Sequence, residues 1–203
     1  DIGPNTGGMG SYSPPEFLSA RELSEIETSI VQPTLKQLEQ LGIPYKGTLY
    51  IGLMITENGP KVLEYNCRMG DPETQVVLPR LDHDLLEIYE CITTSTLSEI
   101  DIKWSSEATV GLVIASAGYP ENPKTGIPIT GLDKLDKDIL AFHSGTSRKK
   151  GTMMTSGGRV LTLVSNGANI EEARNKLYAN VDKIYFEGMQ YRTDIGLRAI
   201  DNM

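Results

Sequence analysis

The chain has 203 residues, 39% of them hydrophobic, which is enough for one large domain or two small ones with their own cores. It has 27 Asp and Glu residues against 19 Lys and Arg, and the net charge of -8 argues against a broad surface for nucleic acid or for an anionic membrane. Cys67 and Cys91 lack metal-ligand spacing and do not suggest a disulfide scaffold, so we expect a reducing compartment such as the cytoplasm. No apolar stretch approaches the roughly 20 residues of a membrane-spanning helix.

The chain is predicted to begin with a loop and a helix. Residues 3–15 contain four Gly and three Pro, a composition typical of a loop. From Arg21 onward apolar residues recur at helical spacing as far as Leu41, and Gly42 follows where a left-handed cap residue belongs. Pro33 is expected to kink or divide this helix.

A β-hairpin is predicted after the helix. The runs GTLYIGLMIT and PKVLEYN flank Asn58 and Gly59, a pair that readily adopts the positive φ angles of a tight turn. A two-residue turn at this pair would place Glu64 opposite Leu53, which cannot bind a metal ion. The sequence therefore predicts two paired strands joined by a tight turn, with no metal-binding residue opposite Glu64.

The second half of the chain is predicted to be rich in strands. After a helix at about residues 84–94, the pattern changes near 101–106, and we place a domain boundary there, between 1–103 and 104–203. The runs TVGLVIAS, DILAFHSGT and GGRVLTLVS are short and apolar, and a helix is expected over 170–184. The expected fold is α+β, with a mixed first part and a small, mostly β second part.

Polar side chains are dense in the run LEYNCRMGDPETQ at the end of the second hairpin strand. Glu64 and Asn66 are two residues apart, so they share one face of an extended strand. A carboxylate and an amide oxygen suit Mg²⁺ or Mn²⁺, which take few protein ligands beside phosphates and water. Arg68 follows, and its planar fork suits a phosphate or acyl phosphate. The alternative is a plain strand end, with Glu64 solvated and Arg68 paired to Asp71 or Glu73.

Several motifs in one order resemble glycinamide ribonucleotide synthetase, the phosphoribosylamine-glycine ligase family of the ATP-grasp enzymes. They are DIGPNTGGMG, GTLYIGLMITENGPKVLEYN, NCRMGDPETQ, GYP, FHSGT, SGGRVL and YRTDIGLRAI, and together they cover essentially the whole chain. The resemblance implies the carboxy-terminal lobe of an ATP-grasp domain followed by a small, mostly β carboxy-terminal domain. It also implies ligation of glycine to 5-phosphoribosylamine with ATP split to ADP and phosphate, through glycyl phosphate, in de novo purine synthesis.

The resemblance assigns expected roles to the residues of the hairpin end and the first loop. Glu64 and Asn66 match the family's metal ligands, and Arg68 matches a group that holds the γ-phosphoryl or acyl phosphate. The loop residues Asn5, Thr6, Gly7 and Gly8 are expected to bind a substrate or phosphate, because glycines let backbone amides approach an anion. The alternative is an ordinary surface loop. Asp1 matches the start of the same motif.

Other candidates have a structural alternative of comparable weight. Asp71 and Glu73 are candidate substrate contacts, although Asp71 followed by Pro72 also fits the N-cap and first position of a helix. His143 and Arg159 are candidates for the substrate cleft, the alternative being packing between domains.

A further set of residues is expected to have structural roles alone. These are His83 at the start of a surface helix, Cys67 as a buried thiol, and Arg192, Asp194 and Arg198 as a charged network.

The resemblance also predicts what this chain lacks. The lobe of the ATP-grasp fold that binds adenine lies upstream in the family, so we expect a missing amino-terminal half of the same polypeptide and an inactive isolated fragment. The expected partners are glycine, 5-phosphoribosylamine and ATP, with no nucleic acid and no membrane. The alternatives are another ATP-grasp carboxylate-amine ligase and a non-catalytic nucleotide-binding module.

Overall fold

The computed structural model describes residues 3–201, so Asp1 and Ile2, with which the first motif begins, lie outside the described residues. The described chain divides into two compact units. The sheet unit contains residues 3–14, Asp71–Arg80 and the chain from Ser105 onward, and the hairpin unit contains Pro15–Gly70 and Leu81–Trp104. The division of the chain at residue 103 into two sequential domains stays a prediction.

A long, interrupted helix opens the hairpin unit. It consists of α1 (Ala20–Ile26), a π-helical turn (Glu27–Val31) and α2 (Gln32–Gln40). Ser19 caps α1 in a capping box with Glu22, and Gly42 follows α2 with φ of 76°. Pro33 lies in the first turn of α2, directly after the π-helical turn. The predicted helix and its glycine cap are confirmed, and its interruption lies just before Pro33, at the π-helical turn, and not at Pro33 itself.

The predicted hairpin is confirmed, but its turn lies one residue earlier. Strands β2 (Tyr50–Thr56) and β3 (Gly59–Asn66) pair antiparallel, and the register joins Thr56 to Gly59. The turn residues are therefore Glu57 and Asn58. The Thr56 hydroxyl stabilises this turn because it donates to the Gly59 carbonyl at 2.7 Å and accepts from the Asn58 amide at 3.2 Å.

One further α-helix belongs to the described part of the hairpin unit. Helix α4 (Leu85–Thr94) begins at Asp84, whose carboxylate accepts from the Leu86 amide at 2.7 Å, as expected for an N-cap. It ends at Ser95, which adopts a left-handed conformation with φ of 64°. His83 comes just before this helix, as predicted, and its Nε2 lies 3.3 Å from a carboxylate oxygen of Glu87.

A four-stranded antiparallel sheet forms the centre of the sheet unit. Its strand order is β1 (Gly10–Ser13), β4 (Ala108–Ala115), β8 (Arg159–Gly167) and β5 (Leu140–His143). Every residue of β4 is buried, which fits its continuous apolar sequence. Strand β1 corrects the sequence analysis, because the glycine- and proline-rich start of the chain is not loop throughout. Its last four residues before Pro14 pair with β4.

Three α-helices and a second hairpin complete the described part of the sheet unit. These are α3 (Thr74–Val77), the hairpin of β6 (Thr146–Lys149) and β7 (Thr152–Thr155), α5 (Ile170–Val181) and α6 (Leu197–Asp201). The buried face of α5 carries Ile170, Ala173, Leu177 and Val181, and it packs on β4 and β8. Helix α3 begins at Thr74, with Glu73 as its N-cap, so the predicted N-cap role of Asp71 is wrong. The Asp71 carboxylate is instead bonded to Arg159.

The predicted α+β fold is confirmed by this mixture of helices and antiparallel strands. The core of the sheet unit consists mainly of side chains from β4, β8 and α5. Within residues 3–201, no helix combines the length and the apolar character that a membrane crossing requires.

Candidate functional site

The end of β3 presents Glu64 and Asn66 on one face of the hairpin. Tyr65 lies between them on the other face, where its hydroxyl is 3.0 Å from the Thr34 hydroxyl of α2. Glu64 is exposed and Asn66 is half-buried. The two oxygen-bearing side chains are therefore open to a ligand, while α2 contacts the strand from behind.

Gly52 faces Glu64 across the hairpin, and not Leu53 as the sequence analysis expected. The register shifts between Gly52 and Leu53, because β3 has one extra residue, Leu63, in a β-bulge. A Cβ at Gly52 would lie 3.0 Å from Cγ of Glu64. The glycine leaves room for the glutamate side chain, and the bulge determines which face of the hairpin this side chain occupies.

Arg68 follows β3 and is exposed. Its Nη1 donates to the Met69 carbonyl at 2.8 Å, which leaves donors on the rest of the planar fork for an anion. No group of three or more His, Cys, Asp or Glu side chains among the described residues could hold a metal ion. The chemistry of this site is therefore one carboxylate, one amide oxygen and one guanidinium, which fits a hydrated Mg²⁺ or Mn²⁺ that takes its other ligands from phosphates.

A second group of polar residues lies in the sheet unit, around the first loop. Arg159 begins β8 and donates to the carbonyl of Gly8 at 3.2 Å, to the carbonyl of Asp71 at 3.0 Å and to the Asp71 carboxylate at 3.2 Å. The amide of Gly7 donates to the Tyr119 hydroxyl at 3.0 Å. One guanidinium and one phenol thus hold the glycine-rich loop.

A cavity of about 880 Å³ adjoins this loop. One wall is the loop itself, including Asn5 and Thr6; the other wall is the segment from Gln190 to Asp194, and Tyr119 lies between them. Arg192 and Asp194 are bonded to each other, with Nε of Arg192 at 2.7 Å from a carboxylate oxygen. This hydrogen bond lowers the pKa of Asp194 to about 2.

Comparisons with known proteins give the family. One family model, "Phosphoribosylglycinamide synthetase, ATP-grasp (A) domain", matches residues 1–74, and another, "Phosphoribosylglycinamide synthetase, C domain", matches residues 109–198. The chain belongs to the phosphoribosylglycinamide synthetase family. The order of the two matches is the order that the sequence motifs predicted, and the family assignment made from those motifs is confirmed.

Individual members of this family are similar over nearly the whole chain. It is 47% identical over 195 residues to the phosphoribosylamine-glycine ligase of Caldanaerobacter subterraneus, an alignment that covers 96% of this chain and 46% of the relative. The crystal structure of the phosphoribosylamine-glycine ligase of Thermotoga maritima superposes with a TM-score of 0.85 at 38% identity, over 96% of this chain and 48% of that one. The chain spans about half the length of these relatives.

The wider ATP-grasp fold is also confirmed. The biotin carboxylase of Campylobacter jejuni superposes with a TM-score of 0.60 at 16% identity, over 96% of this chain and 42% of that one. An identity this low supports a shared fold and nothing more. The phosphoribosylglycinamide synthetase assignment therefore depends on the family models and on the relatives that are far more similar in sequence.

The structure brings some of the predicted site residues together within each unit. Glu64, Asn66 and Arg68 lie along one strand end of the hairpin unit. In the sheet unit, Arg159 joins Gly8 to Asp71. The binding roles of all these residues stay predictions.

Two predicted residues are less closely tied to these groups. His143 is exposed at the end of β5, and its Nδ1 lies 3.0 Å from the Thr146 hydroxyl. Glu73 is half-buried at the start of α3, where its carbonyl accepts from the amides of Val76 and Val77. Their side chains stay candidates for substrate contacts on the ground of the sequence motifs.

The sequence analysis missed Tyr119 and Gln190. The GYP motif that contains Tyr119 supported the family assignment but received no role, and Gln190 directly precedes YRTDIGLRAI. A signal was present, because Tyr119 is a large side chain with a hydroxyl in a Gly-Tyr-Pro loop. Binding residues are found disproportionately often on loops. The predicted burial of Cys67 is wrong: this side chain is exposed, since it follows the last paired residue of β3.

Proposed function

We propose that this chain is the carboxy-terminal part of an enzyme that ligates glycine to 5-phosphoribosylamine and splits ATP to ADP and phosphate, in de novo purine synthesis. The observation that carries the proposal is the intact polar strand end of Glu64, Asn66 and Arg68 in a chain that belongs to the phosphoribosylglycinamide synthetase family. The relative from Caldanaerobacter subterraneus is named as a ligase of phosphoribosylamine and glycine, which supports the choice of substrates.

Glu64 and Asn66 would hold Mg²⁺ or Mn²⁺, and their placement fits such an ion. Both are on one face of β3, and Gly52 leaves space beside Glu64. When bound, the ion neutralises phosphate charge and orients the γ-phosphoryl group of ATP. Arg68, exposed just beyond the strand, would hold the transferred phosphoryl group through its planar fork.

The family resemblance supplies the order of steps that we propose. The glycine carboxylate attacks the γ-phosphoryl group of ATP, which forms glycyl phosphate and releases ADP. The amine of 5-phosphoribosylamine then attacks the acyl carbon, forms the amide bond with loss of a proton, and displaces phosphate. Both steps gather negative charge at one place, so they need a fixed cation more than they need proton transfer. Arg68 supplies that cation from this chain.

The sheet unit would bind the acceptor substrate. Asn5, Thr6, Gly7 and Gly8 form the loop beside the cavity, and Arg159 holds this loop through the Gly8 carbonyl. Because Arg159 also contacts Asp71, Arg159 is a residue that positions the loop. Asp71, Glu73 and His143 are further candidates for contacts with the phosphoribosyl or glycyl group.

The whole reaction belongs to the parent polypeptide. The chain spans about half the length of its relatives, and the other half of the ATP-grasp fold is needed to enclose a nucleotide. We therefore propose that the 203-residue chain alone binds ATP weakly and does not turn over. We also propose that the parent polypeptide works in the cytoplasm, as the two free cysteines suggest.

ADP release by the parent polypeptide tests this function. It is measured with Mg²⁺ and ATP, and with glycine and 5-phosphoribosylamine supplied singly and together. We expect release that requires both substrates, and a loss of about 100-fold or more for Glu64→Gln, the scale of losing one stabiliser of transition-state charge. Glu57→Gln is the matched control, because Glu57 is exposed in the turn of the same hairpin.

Each other outcome contradicts the proposal in a different way. Release that does not depend on glycine would assign the chain to another ATP-grasp ligase with a different acid. Release that Glu64→Gln and Glu57→Gln leave equally intact would remove the metal role of Glu64. No release with any mixture would favour a non-catalytic nucleotide-binding module.

A further inference from the structure

The cavity of the sheet unit is built like a binding site. Its volume of about 880 Å³ lies within the range of about 300–1,000 Å³ that is usual for small-molecule pockets. The rings of Tyr119 and Tyr191 line it together with the polar side chains of Asn5, Thr6 and Asp194. The lining is more polar than apolar, which suits a small polar molecule.

Contacts from behind hold the wall that Gln190 to Asp194 form. The guanidinium of Arg174, on α5, donates to the carbonyl of Thr193 at 2.6 Å and to that of Ile195 at 3.0 Å. It also stacks on the ring of Tyr178, at 4.4 Å from the centroid, and the Tyr178 hydroxyl donates to the Arg192 carbonyl at 2.7 Å. Two residues of the wall, Arg192 and Thr193, and Ile195 just after it are therefore held by one face of α5.

The middle of the cavity is equally well fixed. The side-chain amide of Gln190 donates to the carbonyls of Ser116 and Tyr119, at 3.1 and 3.2 Å. The Tyr119 hydroxyl in turn accepts from the amide of Gly7. Both walls are thus connected through Tyr119, and a site held in this way loses little entropy when a ligand binds.

The charges of the cavity favour a neutral ligand group. Among the lining residues that the structure describes, Arg192 is the only cation, and it is bonded to Asp194 through both arms of its fork. A phosphate would meet a cation already committed to a carboxylate, and it would be repelled by that carboxylate. A carboxylate has about four acceptor positions, so Asp194 keeps about two for hydroxyl donors.

We infer that this cavity binds the vicinal hydroxyl groups of a pentose, with Asp194 as the acceptor of both. The inference rests on the proposed function, in which the acceptor substrate is a pentose 5-phosphate carrying an amine. It adds that the sugar hydroxyls bind between the Gln190–Asp194 wall and the first loop. Asp194, which the sequence analysis placed in a structural network, is then a substrate-binding residue.

The test measures the affinity of the parent polypeptide for ribose 5-phosphate, 2-deoxyribose 5-phosphate and 3-deoxyribose 5-phosphate by calorimetry. We expect each deoxy sugar to bind about 10- to 100-fold more weakly than ribose 5-phosphate, the scale of one hydrogen bond to a charged group. Asp194→Asn should reduce this difference to less than about threefold, since a neutral amide oxygen accepts less strongly. Arg192→Gln should retain the difference, because Asp194 remains an acceptor.

The control variant is Glu171→Gln, which removes an exposed carboxylate of the same unit, on α5, and should leave the full difference. The inference is overturned if the native protein binds the three sugars equally, or if the difference survives in Asp194→Asn. It is also overturned if Asp194→Asn and Arg192→Gln behave alike, since that result indicates a purely structural ion pair.

Failure of the proposed function has a separate signature. If ADP release requires glycine and 5-phosphoribosylamine but Asp194→Asn does not change the discrimination, the function stands and the inference is wrong. If no ADP is released while the sugars are discriminated through Asp194, the sugar site stands and the reaction is wrong.

Discussion

Tyr119→Phe tests how the first loop is held. The change removes the hydroxyl that accepts from the Gly7 amide at 3.0 Å and keeps the aromatic ring. The ring lies against Gly158, where an added Cβ would be 2.2 Å from Cδ2 of Tyr119, so the packing on this side depends on the ring alone. The perturbation is therefore confined to one hydrogen bond.

The size of the effect follows from that bond and from the contact that remains. A neutral hydrogen bond contributes about 0.5–1.5 kcal/mol net, which corresponds to an increase of about 2- to 13-fold in the open population of the loop. Arg159 still donates to the Gly8 carbonyl, so the loop is loosened but not released. We expect the KM of a substrate that the loop contacts to rise by the same factor, with little change in kcat.

Hydrogen exchange at the Gly7 amide of the parent polypeptide measures the opening directly. Tyr185→Phe is the control, because Tyr185 is 62% exposed and belongs to the same unit. Exchange at Gly7 should quicken in Tyr119→Phe and stay unchanged in Tyr185→Phe, with the amides of β8 unaffected in both. Unchanged exchange at Gly7, or faster exchange throughout β8, would refute the reasoning.

Three further predictions concern the stability of the sheet unit. Gly131 and Gly126 have φ of 86° and 78°, but an added Cβ would lie 1.8 Å from a carbonyl oxygen at Gly131 and would meet nothing within 4 Å at Gly126. In urea unfolding, Gly126→Ala should lower the free energy of unfolding by about 1–2 kcal/mol, and Gly131→Ala should lower it clearly more. Equal losses would contradict the clash at Gly131. Arg80→Leu should lower the free energy of unfolding by about 1–3 kcal/mol in the same assay, because two carbonyls and a serine hydroxyl lose their hydrogen-bond donor. No change would contradict a stabilising role of Arg80. The pKa of Asp194 is about 2 against an ordinary 3.8, so its pair with Arg192 stabilises the fold above about pH 4 and loses this effect as the pH falls toward 2. Carboxyl NMR titration should show that the pKa of Asp194 rises in Arg192→Gln. An unchanged pKa in this variant would exclude Arg192 as the cause.

Much of the fold was predictable because the deciding interactions are local. The capping box at Ser19, the glycine cap at Gly42 and the N-cap at Asp84 each involve residues within a few positions of one another. The all-apolar run of β4 likewise identifies a buried strand without knowledge of its neighbours. Such patterns are readable from one sequence because each element satisfies its own backbone groups or buries its own face.

The errors arose where a distant partner competes with a local preference. Asp71 and Pro72 form a good helix start by sequence, but the Asp71 carboxylate bonds to Arg159, 88 positions away. Strand β1 lies in a glycine-rich segment with little strand propensity, and it forms because β4 offers unpaired backbone groups. The hairpin turn is the exception, because its position is decided locally: the Thr56 hydroxyl stabilises Glu57 and Asn58 as the turn, one residue earlier than expected.

By itself, the sequence determined the family, the α+β fold and the shared strand face of Glu64 and Asn66, because ordered motifs and the two-residue period of a strand do not depend on distant contacts. Only the tertiary structure decided that a bulge places Gly52 opposite Glu64 and that Arg159 joins Gly8 to Asp71. It also created the cavity beside Tyr119, whose walls come from opposite ends of the chain. The sequence of one wall does not predict the other wall, because the cavity exists only after packing has brought the two segments together.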